Sequence, residues 1–304
     1  MHEYYFANYR LLMDDTIGQN DHMEYLADFS KAMPATHTFT LRLGSEMLLD
    51  EKFSATRKCP VVCTTDGFDI HDTLDSWAII PLMDEHTVRR HGKYVLTCAR
   101  DYSEMTLYIS RQPYCSEKRK IWKMPPLPIS SAIRAACEAG MTMRDGMPLH
   151  AALVEKDGYG VVFLGPSGMG KSTQAKLWVE HQGADFIIGD RPGLRYIDGQ
   201  WIGFGMPWDG KDNIRQQKQV PIRALISLEQ APENKIVRLE TLSAYASVIA
   251  AVSTIRWDHS VMDKIIPTVE RAAMTVPCFQ LSCRPDEEAV RVCREAVMSV
   301  EQKS

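Results

Sequence analysis

A glycine-rich run of eight residues constrains this chain more than any other feature of its sequence. Residues 165–172 read Gly-Pro-Ser-Gly-Met-Gly-Lys-Ser, which fits the pattern G-x-x-x-x-G-K-[ST]. An apolar run precedes it, and a run with helix-forming residues follows it. The sequence therefore predicts a strand over 159–164, a tight loop, and a helix over 173–180 in direct succession.

A loop of this kind is suited to binding phosphate. Glycines let the backbone approach an anion closely, successive amide N–H groups surround it, and the positive end of the next helix faces it. We expect ATP as the ligand, with Lys171 neutralising the β- and γ-phosphate oxygens and the Ser172 hydroxyl binding Mg²⁺. The alternative is a chance match in a glycine-rich turn. The predicted nucleotide-binding residues are Gly165, Ser167, Gly168, Met169, Gly170, Lys171, Ser172 and Thr173.

A carboxylate for the metal side of the site comes from the next apolar run. Residues 184–190 end in Asp190, one helix and one short connection beyond the loop. A carboxylate there binds Mg²⁺ or accepts the proton of an attacking hydroxyl, so the predicted metal ligands are Ser172 and Asp190. The alternative is an aspartate that opens a turn before Pro192.

Two further features flank the predicted site. His150 begins the strand pair before the loop, where its side chain can face the γ-phosphate; the alternative is a structural or merely exposed histidine. The catalytic residues predicted are thus Asp190, His150 and Lys171. Residues 205–211 form a turn-rich segment that either lies over the nucleotide or acceptor, or is a surface loop anchored by Trp208.

The chain is long enough for two domains. It has 304 residues, of which 45% are hydrophobic and 24% charged, so it can bury one large core or two ordinary ones. Three prolines within 124–128 cannot continue a helix or the interior of a sheet, which places a domain boundary there. We expect a mostly β domain over 1–128 and a nucleotide-binding domain over 129–304.

Turn signals predict the local order of both domains. The runs 94–98 and 105–109 read as a hairpin in a mostly antiparallel sheet. Asp-Gly pairs at 157–158 and 198–199 each predict a hairpin, because that turn needs a positive φ. A helix over 130–139 is expected to stop at Gly140, acting as its C-cap.

Charge and cysteine usage exclude several classes of partner. A formal net charge of -4 gives no electrostatic reason to expect nucleic acid or an acidic membrane surface. No apolar run approaches the roughly 20 residues of a membrane span, and the chain starts without a secretory signal pattern. The eight cysteines show no Cys-x-x-Cys spacing, so a zinc site is not expected. Buried free thiols in a reducing cytoplasm are predicted instead.

Three of these features together resemble a known family. They are residues 149–151 ahead of the strand pair, the run 165–173, and the apolar run into Asp190. The chain is similar here to HPr kinase/phosphorylase and to related serine kinases of the phosphoenolpyruvate carboxykinase-like fold. The likeness covers about 145–210 and extends weakly to 276–286. Residues 4–11 also resemble the opening strand of the β-domain in HPr-kinase-related proteins found beside peptide-modifying enzymes.

The resemblance implies both a fold and an activity. The fold is α/β: a P-loop nucleotide-binding domain of phosphoenolpyruvate carboxykinase/HPr kinase type, with a mixed sheet, preceded by a mostly β domain. The activity is a Mg-ATP-dependent phosphotransferase that acts on a hydroxyl, a Ser or Thr of a peptide or protein. Related kinases often form oligomers, so a homo-oligomer is expected. Phosphorylase activity is not predicted, since no motif for it is identifiable.

One departure from the family bears on catalysis. Asp190 matches the first of two adjacent family aspartates, but Arg191 stands in place of the second. Either Asp190 serves as both base and metal ligand, or Asp185, Asp209 or Asp212 takes one of those jobs. Arg191 can instead stabilise charge on the transferring phosphoryl group. It can equally mark a protein that binds ATP and has lost phosphotransfer.

Two alternative functions follow from the same residues. One is an ATP-binding, catalytically impaired protein that recognises a peptide in a peptide-modification pathway, which Arg191 favours. The other is a small-molecule kinase, because residues 171–175 are also similar to nucleoside monophosphate kinases. Those enzymes carry the loop near the amino terminus on a parallel sheet, whereas here a whole domain and a hairpin precede it.

We predict that Lys171→Ala abolishes triphosphate affinity or turnover while the fold is retained, because the variant removes the cation that neutralises the phosphates. Calorimetric titration with Mg-ATP measures the affinity, and circular dichroism checks the fold. Lys176→Ala, five positions further along the chain in the predicted helix, is the control. Unchanged binding and turnover in Lys171→Ala would remove the loop from the mechanism.

Overall fold

The chain forms two compact units, each with its own β-sheet. The computed structural model describes residues 1–18, 21–65, 67–82, 93–110, 128–210 and 213–300. The first unit comprises Met1–Met143 and Ile255–Asp258, and the second comprises Arg144–Thr254 and His259–Ser304. The proline-rich stretch at 124–127, Cys115 and Asp212 lie outside the described residues.

The first unit is built on an eight-stranded sheet in the order β1-β2-β3-β8-β7-β6-β5-β4. Its strands are β1 (His2–Phe6), β2 (Tyr9–Met13), β3 (His37–Leu43), β4 (Val61–Thr64), β5 (Phe68–Asp72), β6 (Ser76–Pro81), β7 (Tyr94–Ala99) and β8 (Glu104–Ile109). Its helices are α1 (Asp15–Gly18), α2 (Leu49–Thr56) and α3 (Pro128–Thr142), with 3-10 turns at Asp21–Phe29 and Glu46–Leu48. The predicted antiparallel hairpin of β7 and β8 is confirmed, with Tyr94 opposite Ile109.

The predicted opening strand over 4–11 is wrong. Ala7 and Asn8 have φ angles of 48° and 61°, so the chain reverses between them. β1 and β2 then pair antiparallel, with Phe6 opposite Tyr9. Two consecutive residues with positive φ angles form a tight hairpin turn. Such turns are usually marked by a glycine, and alanine occupies one of the two positions here, so the sequence does not predict the turn.

The second unit is a mixed sheet with helices packed against it. Its strands are β9 (Gly146–Pro148), β10 (Ala151–Lys156), β11 (Tyr159–Leu164), β12 (Asp185–Ile188), β13 (Gly193–Ile197), β14 (Gln200–Phe204), β15 (Gln219–Gln230), β16 (Lys235–Arg238) and β17 (Cys278–Cys283). Its helices are α4 (Lys171–Gln182), α5 (Thr241–Ala251), α6 (His259–Thr275) and α7 (Glu287–Met298). With two sheets and helices on them, the chain is a mixed α/β protein, as the sequence predicts at this level.

The strand order of the second unit determines where its loops meet. Around the long strand β15 the order runs β12-β10-β11-β15-β17-β16. β11, β15 and β17 are parallel, whereas β10 and β11 form the predicted hairpin at 157–158. The predicted hairpin at 198–199 joins β13 and β14. The carboxyl ends of the three parallel strands therefore lie side by side, where open α/β sheets bind ligands.

Helix α4 is anchored at the end of β11 by aromatic packing. Trp178 is fully buried and its indole meets the Phe163 ring edge-on, with ring centroids 6.0 Å apart. Burial of such side chains contributes roughly 1.5–3 kcal/mol each. Because Phe163 lies just before the glycine-rich loop and Trp178 lies on the helix after it, their contact fixes both ends of the loop.

The glycine at 140 has a different role from the one the sequence suggests. α3 continues to Thr142, so Gly140 is not its C-cap. A Cβ at Gly140 would lie 2.7 Å from the Phe39 ring, so the glycine permits close approach of helix and sheet. α3 belongs to the first compact unit. The domain limits 1–128 and 129–304 stay a prediction.

No helix within the described ranges combines the length and the apolar character needed to cross a bilayer.

We predict that Gly140→Ala lowers the free energy of unfolding by roughly 1–3 kcal/mol, because the fully buried Phe39 ring must move. Alanine is intrinsically the better helix former by about 1 kcal/mol, so the predicted sign opposes helix propensity. Urea denaturation measures the difference, with Ser131→Ala on the same helix as the control. A higher urea midpoint for Gly140→Ala would contradict the packing role.

Candidate functional site

The glycine-rich loop is an exposed, left-handed turn between β11 and α4. Gly165, Gly168 and Gly170 have φ angles of 150°, 81° and 106°, values that side-chain-bearing residues rarely adopt. Gly170 is the N-cap residue of α4, so the loop opens directly onto the amino end of the helix. Residues 166–168 are exposed to solvent. The loop is therefore accessible to a ligand rather than sealed in the core.

Lys171 points back into its own loop. Its side chain is buried, and Nζ donates hydrogen bonds to the carbonyl oxygens of Gly165, at 2.8 Å, and Pro166, at 3.0 Å. Burial lowers the pKa of this ammonium group, while the negative charge of Asp190 acts in the opposite direction. The loop thus holds a desolvated cation whose attraction for an anion is stronger than it would be in water.

Asp190 and His150 form the centre of a polar cluster beside the loop. Asp190 follows β12, and its Oδ1 lies 2.7 Å from Nδ1 of His150. The backbone fixes this pair, because His150 N donates to the Ala251 carbonyl and Leu149 N donates to the Pro192 carbonyl. Two of the three residues predicted to be catalytic, Asp190 and His150, are therefore in direct contact.

Arg191 closes the other side of the Asp190 carboxylate. Its Nε lies 3.6 Å from Asp190 Oδ2, and its guanidinium group donates a hydrogen bond to the Ser253 hydroxyl. The Arg191 backbone has a φ angle of 60°, which is uncommon and costly for a bulky residue. The Arg191 side chain therefore lies beside the Asp190 carboxylate.

Opposing effects determine the pKa of Asp190. Burial raises this pKa, whereas the hydrogen bond from His150 and the charges of Arg191, His150 and Lys171 lower it. The lowering effects prevail, so the carboxylate stays ionised. Lys171 and Asp190 are close enough for each charge to affect the other's pKa. The loop and the polar cluster therefore belong to one site.

A second carboxylate, Asp209, reaches this site from the segment before β15. The neighbouring Gly210 packs so closely on Asp190 that a Cβ there would lie 3.0 Å from the Asp190 Cβ. Burial raises the pKa of Asp209 to about 6; the Arg215 charge and main-chain hydrogen bonds partly oppose this, while the Asp190 charge adds to it. Oδ2 of Asp209 is buried without a hydrogen-bond partner in the described structure.

The other carboxylates considered from the sequence have different positions. Asp185 begins β12 and binds Lys218 Nζ at 2.6 Å and Gln216 Nε2 at 2.7 Å, away from the strand end that carries Asp190. Asp212 lies outside the described residues. Trp208 is buried, as expected for an anchor of the 205–210 segment. Asp209 is thus the acidic side chain that this segment brings towards Asp190.

Sequence reasoning did not find Ser253. It lies 62 positions from Arg191 and reaches it through pairing of 251–253 with 148–150 after α5. A serine at the end of a helix is too common to attract notice in a sequence. The contact depends on tertiary structure, so no local pattern in the chain signals it.

The donor set fits Mg²⁺ held mainly by a triphosphate. Within the described residues, no three acidic, histidine or cysteine side chains are grouped as a metal site. Mg²⁺ commonly takes only one or two protein ligands beside phosphate oxygens and water. Ser172 in the first turn of α4 and Asp190 after β12 can supply those ligands.

Comparison with solved structures gives a weak structural similarity. No protein-family model and no curated protein matches the chain. Among solved structures, the chain is similar to the HPr(Ser) kinase/phosphatase from Coxiella burnetii, with 17% sequence identity and a TM-score of 0.29. The match covers 50% of this chain and 92% of that one. A TM-score of this size is too low to assign a fold or a function.

We predict that Asp209→Asn stabilises the protein above pH 6. The folded-state pKa of about 6 exceeds the ordinary 3.8, so ionising Asp209 costs folding free energy as pH rises between these values. After allowance for solvent screening, the variant should gain about 1–2 kcal/mol at pH 7.5 and nothing at pH 4.

Urea denaturation at both pH values measures this effect. Asp185→Asn is the matched control and should lose stability at pH 7.5, because Lys218 holds the pKa of that carboxyl low. A loss of stability in Asp209→Asn at pH 7.5 would show that Asp209 is a stabilising partner rather than a strained site group.

Proposed function

We propose that this protein is an ATP-dependent kinase that transfers the γ-phosphoryl group to a hydroxyl, that of a Ser or Thr in a peptide or protein. One observation carries the proposal: the exposed loop at the end of β11 holds a buried lysine within electrostatic reach of the paired Asp190 and His150. The P-loop fold type and the peptide acceptor come from the family resemblance and belong to the same proposal.

In this proposal the loop binds the triphosphate tail. The loop glycines leave room for phosphate oxygens beside the backbone, and the amino end of α4 adds its positive dipole. Lys171 Nζ exchanges the Gly165 and Pro166 carbonyls for phosphate oxygens. The lysine thereby gains a fully charged partner in place of two neutral ones, which favours the bound state.

Phosphoryl transfer to a hydroxyl needs a proton acceptor and positively charged groups beside the transferring phosphoryl group. The acceptor oxygen bonds to the γ-phosphorus as the bond to the bridging oxygen of the β-phosphate breaks, and ADP leaves. The hydroxyl proton passes to Asp209, whose Oδ2 has no hydrogen-bond partner among the described residues. Burial raises the pKa of Asp209 to about 6, which makes it a stronger base than Asp190, whose pKa is lowered. Arg191 and His150 stabilise negative charge on the transferring group.

Ser172 and Asp190 would hold Mg²⁺, which would neutralise part of the charge on the phosphate oxygens.

A second function fits one specific observation. The Arg191 guanidinium group faces Asp190 and Ser253, an arrangement that also suits a protein that binds ATP and recognises a peptide without transferring phosphate. The small-molecule kinase is less favoured, because the loop strand β11 pairs antiparallel with β10 instead of lying in an all-parallel sheet. A cytoplasmic location and a homo-oligomer stay predictions.

We predict that Asp190→Ala reduces ATP-dependent phosphate transfer by about 10²–10⁴-fold, the usual weight of a group acting on protons or charge in the transition state. Nucleotide affinity should change far less, since Lys171 and the loop remain. Transfer of labelled γ-phosphate to candidate peptides, and ATP turnover with and without them, are the measurements.

Asp198→Asn is the matched control for this variant. It lies exposed in the β13–β14 turn with a φ angle of 48°, which asparagine tolerates. Nucleotide binding without any Asp190-dependent transfer would instead support the peptide-recognition protein. Absence of triphosphate binding in the wild type would contradict both the kinase and the peptide-recognition function.

A further inference from the structure

The segment 251–253, at the end of helix α5, runs antiparallel to the chain that carries His150. His150 N donates to the Ala251 carbonyl at 2.7 Å, and Ser253 N donates to the Pro148 carbonyl at 2.9 Å. An isolated antiparallel β-bridge lies between these two hydrogen bonds. Hydrogen bonds on both sides of a bridge hold two chain segments in register. The main chain of Ser253 therefore has a defined position beside the candidate site.

The Ser253 hydroxyl is a hydrogen-bond partner of the Arg191 guanidinium group. One terminal nitrogen of Arg191 donates to Ser253 Oγ, while Nε lies 3.6 Å from Oδ2 of Asp190. A guanidinium group is planar, so contacts at two of its nitrogens fix the direction in which the whole group faces. The serine and the aspartate thus hold the arginine from two sides.

An arginine needs such contacts if it is to stay in one orientation. Its side chain is long, has several rotatable bonds and carries much rotamer entropy. The Arg191 side chain is 24% exposed, so water competes for its donors. Donors that are already oriented stabilise developing charge better than donors that must first turn towards it. A fixed hydroxyl beside Arg191 therefore favours a reaction in which charge develops next to the arginine.

Serine offers the arginine a neutral acceptor. A hydroxyl oxygen accepts from the guanidinium group without cancelling its positive charge, whereas another carboxylate would cancel much of it. That charge acts within the site: burial raises the pKa of Asp190, and the hydrogen bond from His150 and the charge of Arg191 lower it. Ser253 can therefore orient the arginine and leave its charge available to a phosphoryl group.

We propose that Ser253 is a positioning residue that holds the Arg191 guanidinium group towards the phosphoryl group being transferred. The inference rests on the proposed function and goes beyond it by adding a residue that acts through Arg191 rather than on the substrate. Loss of the Ser253 hydroxyl slows the chemical step and leaves the affinity for ATP nearly unchanged, because the loop that binds the triphosphate is not altered.

Substitutions at residue 253 in the full chain test this inference. With Mg-ATP, Ser253→Ala should lower kcat about tenfold or more, the usual weight of a hydrogen bond to a charged group, with KM for ATP within about twofold. Ser253→Thr keeps a hydroxyl and should recover most of the lost kcat. Ser253→Cys keeps the size of the side chain but offers a weak acceptor, so it should behave like Ser253→Ala and replaces that variant if it does not fold.

Ser299→Ala is the matched control. It removes another serine hydroxyl of the same unit, one that donates to the Ala296 carbonyl at 2.8 Å, and should leave kcat unchanged.

A double-mutant cycle tests whether Ser253 acts through Arg191. Arg191→Ala should lower kcat at least as much as Ser253→Ala, and adding Ser253→Ala to it should cause no further loss. A hydroxyl that only stabilised the fold would lower kcat by the same factor in both backgrounds.

A transition-state analogue gives a readout that needs no acceptor. Aluminium fluoride with Mg-ADP mimics the phosphoryl group in transfer, and such analogues report contacts made in the transition state. Calorimetric titration should show Ser253→Ala binding this mixture about tenfold more weakly than the wild type does, with equal affinities for Mg-ADP alone.

Equal kcat values for the wild type and Ser253→Ala would overturn the inference and leave the proposed function intact. Equal losses in the two backgrounds of the cycle would do the same. Absence of both Mg-ATP binding and ATP turnover in the wild type would instead overturn the proposed function itself, and the inference with it.

Discussion

The ammonium group of Lys171, held by two carbonyls of its own loop, is the interaction on which the site depends. A buried cation is costly unless oxygen atoms surround it, and the glycine-rich turn supplies them by folding back over the lysine. The turn can do so because three of its glycines adopt φ angles that other residues resist. Packing of Trp178 on Phe163 then keeps strand, loop and helix in register.

The negative charge of Asp190 is balanced by side chains that lie close to it. One carboxylate oxygen faces His150 and the other faces Arg191, while Lys171 acts from the loop. Asp209 differs from Asp190, because its Oδ2 has no hydrogen-bond partner among the described residues and its pKa is displaced in the opposite direction. Two carboxylates whose environments move their pKa values apart are suited to different tasks, one as a fixed anion and one as a proton acceptor.

Local chemistry explains which parts of the structure were predictable. The loop and the hairpins at 157–158 and 198–199 depend on glycine at positive φ, and glycine is visible in a sequence. The turn at Ala7 and Asn8 uses the same conformation without glycine, and the family resemblance that implies one strand over 4–11 does not reveal it. The sequence pattern predicts a helix end at Gly140, because the contact of Gly140 with Phe39 is tertiary and no local pattern shows it.

The site also contains both residues that the local sequence predicts and residues that only tertiary contacts bring there. Asp190 was predicted because its strand lies near the loop in the chain, whereas the role of Ser253 depends on contacts across long sequence separations. The sequence alone does not distinguish Asp209 from Asp185 and Asp212 as the second carboxylate of the site. Asp209 is singled out only by the way Gly210 packs on Asp190, which no periodicity or spacing encodes.

The left-handed backbone at residue 191 has a consequence for how this chain can change. At a φ angle of 60°, aspartate and asparagine are more readily accommodated than arginine. The main chain at residue 191 would therefore accept an aspartate more readily than the arginine it carries. An Arg191→Asp change would need a new side chain but no new loop conformation.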